Sequence, residues 1–138
     1  MAIVWPAFAL FALTMFVVAR LARLRFAAAA AGRVDPRYYR AFRGDGEPEE
    51  VAVAARNYNN LFEMPTLFYA GTAIAVAAGA GGVLVWLGWA YVALRFLHTA
   101  IHLGSNKVRW RFRVFAASWL LLIAYWVLLG YQLAASTA

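Results

Sequence analysis

Four long apolar segments, separated by short polar stretches, constrain this sequence more than any other feature. As helices they cover about residues 3–25, 51–80, 83–103 and 114–133. Each is long enough to cross ~30 Å of hydrocarbon at a rise of ~1.5 Å per residue. Strands are disfavoured because the segments lack a period-two alternation of apolar and polar residues. The sequence therefore predicts an all-α integral membrane protein, a four-transmembrane-helix bundle that forms a single domain over residues 1–138.

The composition indicates that lipid is the natural solvent of this chain. It is 65% hydrophobic and 14% charged, against about 25% charged in an ordinary soluble domain. A soluble protein of 138 residues could not bury that much apolar surface. The net charge of +7 does not indicate nucleic acid, because the basic residues are clustered between apolar segments. The absence of cysteine excludes disulfides and thiolate metal ligands, so any thiol chemistry needs an external thiol.

Two basic clusters predict the orientation in the membrane. They are residues 20–43, with seven arginines, and residues 107–113. The N-terminus, the glycine-rich turn at residues 79–82 and the C-terminal tail carry no basic side chain. The positive-inside rule therefore places both charged loops in the cytoplasm and both termini outside it. The first segment is not expected to be a cleaved signal peptide, because its positive charge follows the apolar stretch.

The balance of basic residues favours a bacterial source. Arginine outnumbers lysine by twelve to one, and alanine is abundant. Both biases are typical of proteins from GC-rich bacteria. We therefore expect a multi-pass protein of the bacterial inner membrane, with both termini in the periplasm.

Polar side chains interrupt the second and third apolar segments. A charge near the bilayer centre costs ~3 kcal/mol on insertion scales, so such residues usually face the protein interior and are functional candidates. Three of them lie at i, i+4 and i+7 on the second helix and three at i, i+3 and i+7 on the third, so each set shares one helix face. They are Arg56, Asn60 and Glu63, followed by Arg95, His98 and His102.

The depths of these residues predict a common pocket. Counting ~1.5 Å per residue from the cytoplasmic helix ends places Glu63 ~18 Å deep and Arg95 ~12 Å deep. We expect the two side chains to meet as an ion pair across the bundle. The two histidines then lie at the depth of the other polar residues of helix two. Together these side chains predict a polar pocket that opens to the cytoplasm.

Two other interpretations of the same residues stay open. A structural ion-pair network would lock the second helix to the third without binding a ligand. His98 and His102, at i and i+4, have the spacing of two ligands that share a metal ion. No carboxylate lies near them in the sequence, and we predict no metal site.

The segment RNYNNLFEMPTLFY, residues 56–69, resembles the second-helix signature of the MAPEG family, the membrane-associated proteins in eicosanoid and glutathione metabolism. Members of that family carry an arginine, an asparagine four residues on and a glutamate three further, followed by a proline and an apolar pair. The segment RFLHTAIHLG, residues 95–104, is similar to the third helix of the family. The basic strip after it and the RLARLR end of the first segment match in position.

This resemblance implies a homotrimer of four-helix protomers that binds glutathione between subunits near the cytoplasmic face. In the family an arginine stabilises the thiolate, and Arg111 is the positional match here, with Arg109 or Arg23 as substitutes. A nearby guanidinium lowers the pKa of a thiol and so raises the fraction of nucleophilic thiolate. The residues implied in glutathione binding are Arg23, Arg56, Asn60, Glu63, Arg95, His98 and His102.

Three functions follow as hypotheses. The leading one is a membrane-bound glutathione-dependent transferase or peroxidase that acts on hydrophobic electrophiles or lipids. The second is a non-catalytic member of the fold that binds a lipid or a small anionic ligand. The third is a proton-coupled transporter, which is disfavoured because the outer half of helices two and three offers only Thr72 and Tyr91 as polar groups. The expected partners are membrane lipids, a hydrophobic substrate and further copies of the chain, and not nucleic acid.

Overall fold

The computed structural model describes residues 2–42 and 46–136, and within these ranges the chain forms helices and no strand. A short 3-10 helix leads into the first long helix, and another lies in the loop that follows it. Arg43, the last arginine of the first basic cluster, lies outside the described residues. The long helices are α1 (Trp5–Ala30), α2 (Glu49–Ala77), α3 (Val83–Leu103) and α4 (Val108–Ser136), and the 3-10 helices are Ala2–Val4 and Pro36–Arg40.

Two helices extend beyond the apolar segments that predicted them. α1 continues to Ala30 rather than ending near residue 25, and α4 begins at Val108 rather than near residue 114. The α1 extension consists of Phe26 and four alanines, whereas the α4 extension contains Arg109, Arg111 and Arg113. Alanine and arginine are both good helix formers, so both helices continue beyond the apolar segments. Hydropathy marks the membrane boundary and not the helix end.

The other two helices lie close to their predicted bounds. α3 has the predicted range, 83–103. α2 ends at Ala77, three residues before the predicted end at 80. Gly79 takes a left-handed φ of 66°, and the N–H of Ala80 donates to the carbonyl of Ala75 at 2.8 Å. This is the glycine-dependent pattern that terminates many helices.

Within the described part of the chain, three helical stretches are long and apolar enough to cross a membrane, namely Ala2–Ala30, Val83–Leu103 and Val108–Ser136. α2 has 29 residues, as many as α4, but polar side chains lower the mean hydropathy of its first half. It packs against each of the other three helices. A helix that carries its polar groups toward the protein interior does not need an apolar composition to lie within a bundle. The prediction of an all-α membrane protein with four long helices is confirmed.

Three fully buried aromatic rings from different helices pack at the centre of the bundle. The Phe68 ring of α2 lies 4.9 Å from the Tyr91 ring of α3 and 5.4 Å from the Tyr125 ring of α4, measured between centroids. Gly71 allows α2 to approach α4, because a Cβ there would lie 3.1 Å from Cε1 of Tyr125. Lipid is as apolar as these side chains, so van der Waals packing is the main contribution that stabilises the contact.

The loop between α1 and α2 is tied to the end of α1. Nε of Arg25 donates to Oε1 of Glu47 at 2.8 Å, and the same guanidinium lies 4.9 Å from the centroid of the Tyr39 ring. The Glu47 side chain is only 7% exposed, so this ion pair is shielded from water. A second pair, between Arg33 and Glu50, is about half exposed on both sides. The two ion pairs therefore hold the loop against both the end of α1 and the start of α2. We call this end of the bundle, which also carries the turn between α3 and α4, the basic end.

Candidate functional site

A cavity of about 440 Å³ lies among α2, α3 and α4 at the basic end. α2 supplies polar side chains, α3 supplies the two histidines, and the first two turns of α4 supply one arginine and apolar side chains. The lining residues are Arg56, Asn59, Asn60, Glu63, His98, His102, Val108, Arg111, Phe112 and Phe115.

The α2 wall is polar because its side chains recur at helical spacing. Arg56, Asn60 and Glu63 lie one and two turns apart and all reach the cavity. Nδ2 of Asn60 donates to Oε2 of Glu63 at 3.2 Å. Arg56 and Glu63 are both exposed in the isolated protomer. The cavity is therefore open along this side.

Arg95 lies behind the α2 wall and is fully buried. Its guanidinium donates to the side-chain oxygen Oδ1 of Asn60, and to the main-chain oxygen of the same residue at 3.4 Å. The Phe115 ring of α4 lies 5.9 Å from the guanidinium carbon, within the range of a cation–π contact. Arg95 thus joins three helices.

The prediction of an ion pair between Glu63 and Arg95 is wrong. The described residues form two ion pairs, each between a residue of the α1–α2 loop and a residue of α1 or α2, and neither involves Glu63 or Arg95. Asn60 takes the position opposite Arg95 that the depth count assigned to Glu63, a difference of about one helical turn. The amide of Asn60 then bridges the two charges, with its oxygen toward Arg95 and its nitrogen toward Glu63.

The two histidines form the α3 wall. His98 is 3% exposed and His102 is 5% exposed, and their rings meet edge to face with centroids 5.5 Å apart. Nδ1 of His98 and both ring nitrogens of His102 are buried without a hydrogen-bond partner among the described residues. Buried polar atoms are usually paired, so these nitrogens need hydrogen-bond partners that the described residues do not supply. No cluster of three or more metal-ligating side chains occurs within residues 2–42 and 46–136.

Arg111 reaches the cavity from the first turn of α4. Its Nη1 donates to Oδ1 of Asn106 at 2.7 Å. Asn106 lies in the turn between α3 and α4 and takes a left-handed φ of 47°, a conformation that asparagine tolerates better than most residues. This turn therefore fixes the position of the guanidinium at the rim of the cavity.

The structure gathers most of the predicted site residues around one cavity, although their roles in binding stay predictions. Arg95 supports the wall through Asn60 and does not line the cavity. Arg23 and Arg109 are exposed and do not line it either. The six that line it are Arg56, Asn60, Glu63, His98, His102 and Arg111.

Sequence reasoning missed several residues of this site. Asn57 is fully buried and accepts a hydrogen bond from the Thr99 hydroxyl at 3.4 Å, which joins α2 to α3. Phe112 and Phe115 line the cavity from α4. Phe115 lies four residues after Arg111, so the two side chains share a helix face, but a phenylalanine at this spacing is ordinary in an apolar segment and gave no usable signal. Asn106 had no signal, because its role depends on the shape of the turn.

The arrangement suits an anionic ligand that also carries a cation. Arg56 and Arg111 supply two positive charges, and Glu63 supplies one negative charge. Guanidinium groups pair well with carboxylates, and a carboxylate pairs with an ammonium. A volume of about 440 Å³ falls in the range of small-molecule sites. The chemistry of the walls therefore favours a small zwitterionic acid.

The sequence model of the MAPEG family matches residues 3–131, nearly the whole chain. Searches among curated proteins and among solved structures gave no match. The matched range includes all the cavity-lining residues and most of each long helix. The chain therefore belongs to the MAPEG family of membrane proteins in eicosanoid and glutathione metabolism.

Proposed function

We propose that this protein is a membrane-bound glutathione-dependent transferase or peroxidase that acts on hydrophobic electrophiles or lipids. The observation that carries the proposal is the charge pattern of the cavity. Arg56, Glu63 and Arg111 line it together with the two histidines. Family membership supports glutathione as the co-substrate.

The residues present fit glutathione, which has two carboxylates, one ammonium and one thiol. Arg56 pairs with a carboxylate, and Glu63 pairs with the ammonium because it is not neutralised by a direct ion pair with Arg95. The unpartnered nitrogens of His98 and His102 supply hydrogen bonds to the peptide part. The ligand thereby satisfies polar atoms that the protomer leaves unpaired.

Arg111 is the residue assigned to the thiol. A guanidinium held near a thiol favours the thiolate and lowers the thiol pKa. The turn between α3 and α4 holds Arg111 through Asn106, so the charge is placed before the ligand binds. The chain has no cysteine, so the bound tripeptide supplies the nucleophilic sulfur.

The electrophile reaches this site from the bilayer. Phe112 lines the cavity and is 66% exposed on the surface of α4. An apolar side chain at the rim provides a path for a hydrophobic compound that is dissolved in lipid. The site thus has a polar wall for the tripeptide on α2 and α3 and an apolar rim on α4.

Assembly completes the site. Arg56, Asn59 and Glu63 are exposed in the isolated protomer, and charged groups on a lipid-facing surface are costly. A second copy of the chain covers this face in a closed cyclic oligomer, and the resemblance to the family favours a trimer. Native mass spectrometry in mild detergent tests the assembly, and a monomer or a dimer contradicts it.

The membrane orientation belongs to the same proposal. The basic end lies in the cytoplasm of a bacterial inner membrane, with the N-terminus and the turn between α2 and α3 on the periplasmic side. Cysteine at Gly46 should resist an impermeant thiol reagent in intact spheroplasts, whereas cysteine at Ala2 or Gly81 should react. Labelling at position 46 alone would show that the protein has the opposite orientation.

Calorimetric titration of glutathione into the detergent-solubilised protein tests the function, together with thiol-dependent turnover of a hydrophobic aryl halide. Binding with turnover supports the transferase. Binding without turnover of any electrophile supports the alternative, a non-catalytic member that binds a small anionic ligand or a lipid. Absence of binding at millimolar glutathione rejects glutathione as the co-substrate.

A further inference from the structure

A second opening at the basic end lies between α1 and α3. It has a volume of about 650 Å³ and shares no lining residue with the cavity on α2. α1 contributes Phe16 and Arg20, and α3 contributes Phe96, Ala100 and Leu103. We call it the α1–α3 groove. The proposed glutathione chemistry makes no use of it.

The α1–α3 groove is apolar at depth and cationic at its rim. Phe16 is 59% exposed and Phe96 is 44% exposed, so their rings present apolar surface. The Thr99 hydroxyl in the groove wall already donates to Asn57. Arg20 lines the groove together with Leu103, the last residue of α3, and therefore lies at the membrane border.

The charge at the rim is unbalanced. Arg20 makes no ion pair or hydrogen bond with any described residue. α1 and α3 contain no aspartate or glutamate. Of the acidic residues in the nearby loop, Glu47 and Glu50 are paired with Arg25 and Arg33. Nothing in the groove itself neutralises Arg20.

We propose that the α1–α3 groove binds an anionic phospholipid of the bilayer. Arg20 holds the phosphate of the headgroup, and one acyl chain lies against Phe16 and Phe96. The distance along α1 from Arg20 to Ala12, the deepest α1 residue of the groove, is ~12 Å. The groove therefore accepts about half the length of an acyl chain that crosses one leaflet.

Charge complementarity decides between this occupant and a second copy of the chain. Basic pockets between helices at the cytoplasmic membrane border recognise anionic headgroups. A second copy offers only one acidic residue inside its apolar segments, Glu63, which lies in the cavity on α2 and accepts from Asn60. An anionic lipid supplies both the missing negative charge and the apolar chain.

Native mass spectrometry of the delipidated full-length protein tests the proposal by titration with phosphatidylglycerol and with phosphatidylcholine of the same acyl chains. Wild type should retain phosphatidylglycerol preferentially. Arg20→Gln should weaken phosphatidylglycerol binding about fivefold, the effect of one basic residue near a membrane surface. It should weaken phosphatidylcholine binding less, because the choline of that headgroup already balances the charge of its phosphate. Arg113→Gln is the matched control, because Arg113 stacks on Trp110 outside the groove, at 5.0 Å from the ring centroid.

A second variant tests the apolar part without altering charge. Ala100→Trp fills the groove and should reduce the retention of both lipids, whereas Ala93→Trp, an exposed position of α3 outside the groove, should not. Glutathione binding should be unchanged in each variant, which separates this site from the cavity on α2. Equal retention of the two lipids by wild type, or equal effects of Arg20→Gln and Arg113→Gln, overturns the proposal. The proposal is also overturned if wild type retains no lipid because another protomer covers the groove.

Discussion

Arg95 and Asn60 form the main polar contact between α2 and α3, because the buried guanidinium donates to both the side-chain and the main-chain oxygen of the asparagine. A neutral amide thereby satisfies part of a buried charge. The same amide donates to Glu63 through its nitrogen, which leaves the carboxylate free to meet a ligand. Asn60 therefore supports the buried Arg95 and also contacts the carboxylate that is proposed to bind the ligand.

Asn60→Ala should destabilise the protein by ~1.5–3 kcal/mol, since it removes hydrogen bonds from a buried cation. Asn59→Ala is the matched control, because Asn59 is exposed at the same cavity and should change stability by no more than ~0.5 kcal/mol. Unfolding in mild detergent, followed by loss of helicity, measures both variants. Equal stability of the two would mean that Asn60 does not support Arg95.

A double-mutant cycle separates the bridge from a direct ion pair. Asn60→Ala and Arg95→Leu should be non-additive by more than ~1 kcal/mol, because the two side chains are in contact. Glu63→Gln and Arg95→Leu should couple more weakly than this, because Asn60 joins the two side chains only indirectly. The free energy of unfolding of the single and double variants gives both coupling energies. A larger coupling energy for the cycle of Glu63 and Arg95 would mean that a direct ion pair joins these two residues.

The sequence predicted the faces of the helices better than their relative positions. Helical spacing alone placed Arg56, Asn60 and Glu63 on one face, and the structure has them along one wall. The depth count gave Arg95 the wrong partner, because rise per residue measures position along one helix and not the offset between two. That offset depends on the packing of side chains such as Asn57 and Thr99, which is a tertiary property.

Aromatic side chains were the least predictable part of the site. Phe115 contacts both Arg95 and His98, but it lies in an apolar segment in which phenylalanine is ordinary. Composition cannot separate a phenylalanine that faces lipid from one that faces a cavity. The turn residue Asn106 was equally hidden, because only the backbone conformation brings it to Arg111.

Two classes of variant should separate ligand binding from turnover. Arg56→Ala and Glu63→Gln should each weaken glutathione binding by ~1–3 kcal/mol, the cost of a lost charged hydrogen bond. Arg111→Ala should leave the dissociation constant nearly unchanged and lower kcat, because this cation acts on the thiolate. Calorimetry measures the first quantity and turnover of an aryl halide the second. Arg109→Ala, which removes an exposed arginine outside the cavity, should alter neither.

The two loop ion pairs should differ in their contribution. Glu47→Gln should make the loop between α1 and α2 more sensitive to protease, because it breaks a shielded pair that also orients Arg25 over Tyr39. Glu50→Gln removes an exposed pair with Arg33, and exposed pairs contribute ~0–1 kcal/mol. Limited proteolysis of the detergent-solubilised protein compares the two rates. Equal rates would show that burial of Glu47 adds nothing to the loop.

The pH dependence of turnover should report on Arg111. In the proposed site this guanidinium favours the thiolate of bound glutathione and lowers the pKa of that thiol. Activity limited by thiolate formation rises with pH and levels off above that pKa. Arg111→Ala removes the cation, so the thiol pKa should rise and the rising limb of the kcat profile should move to higher pH. Arg111→Lys keeps the charge and should restore part of the shift. The ultraviolet absorbance of the thiolate in the binary complex, measured across the same pH range, should move in parallel. A profile that does not move in Arg111→Ala would remove this residue from the chemistry and leave it as a structural part of the turn.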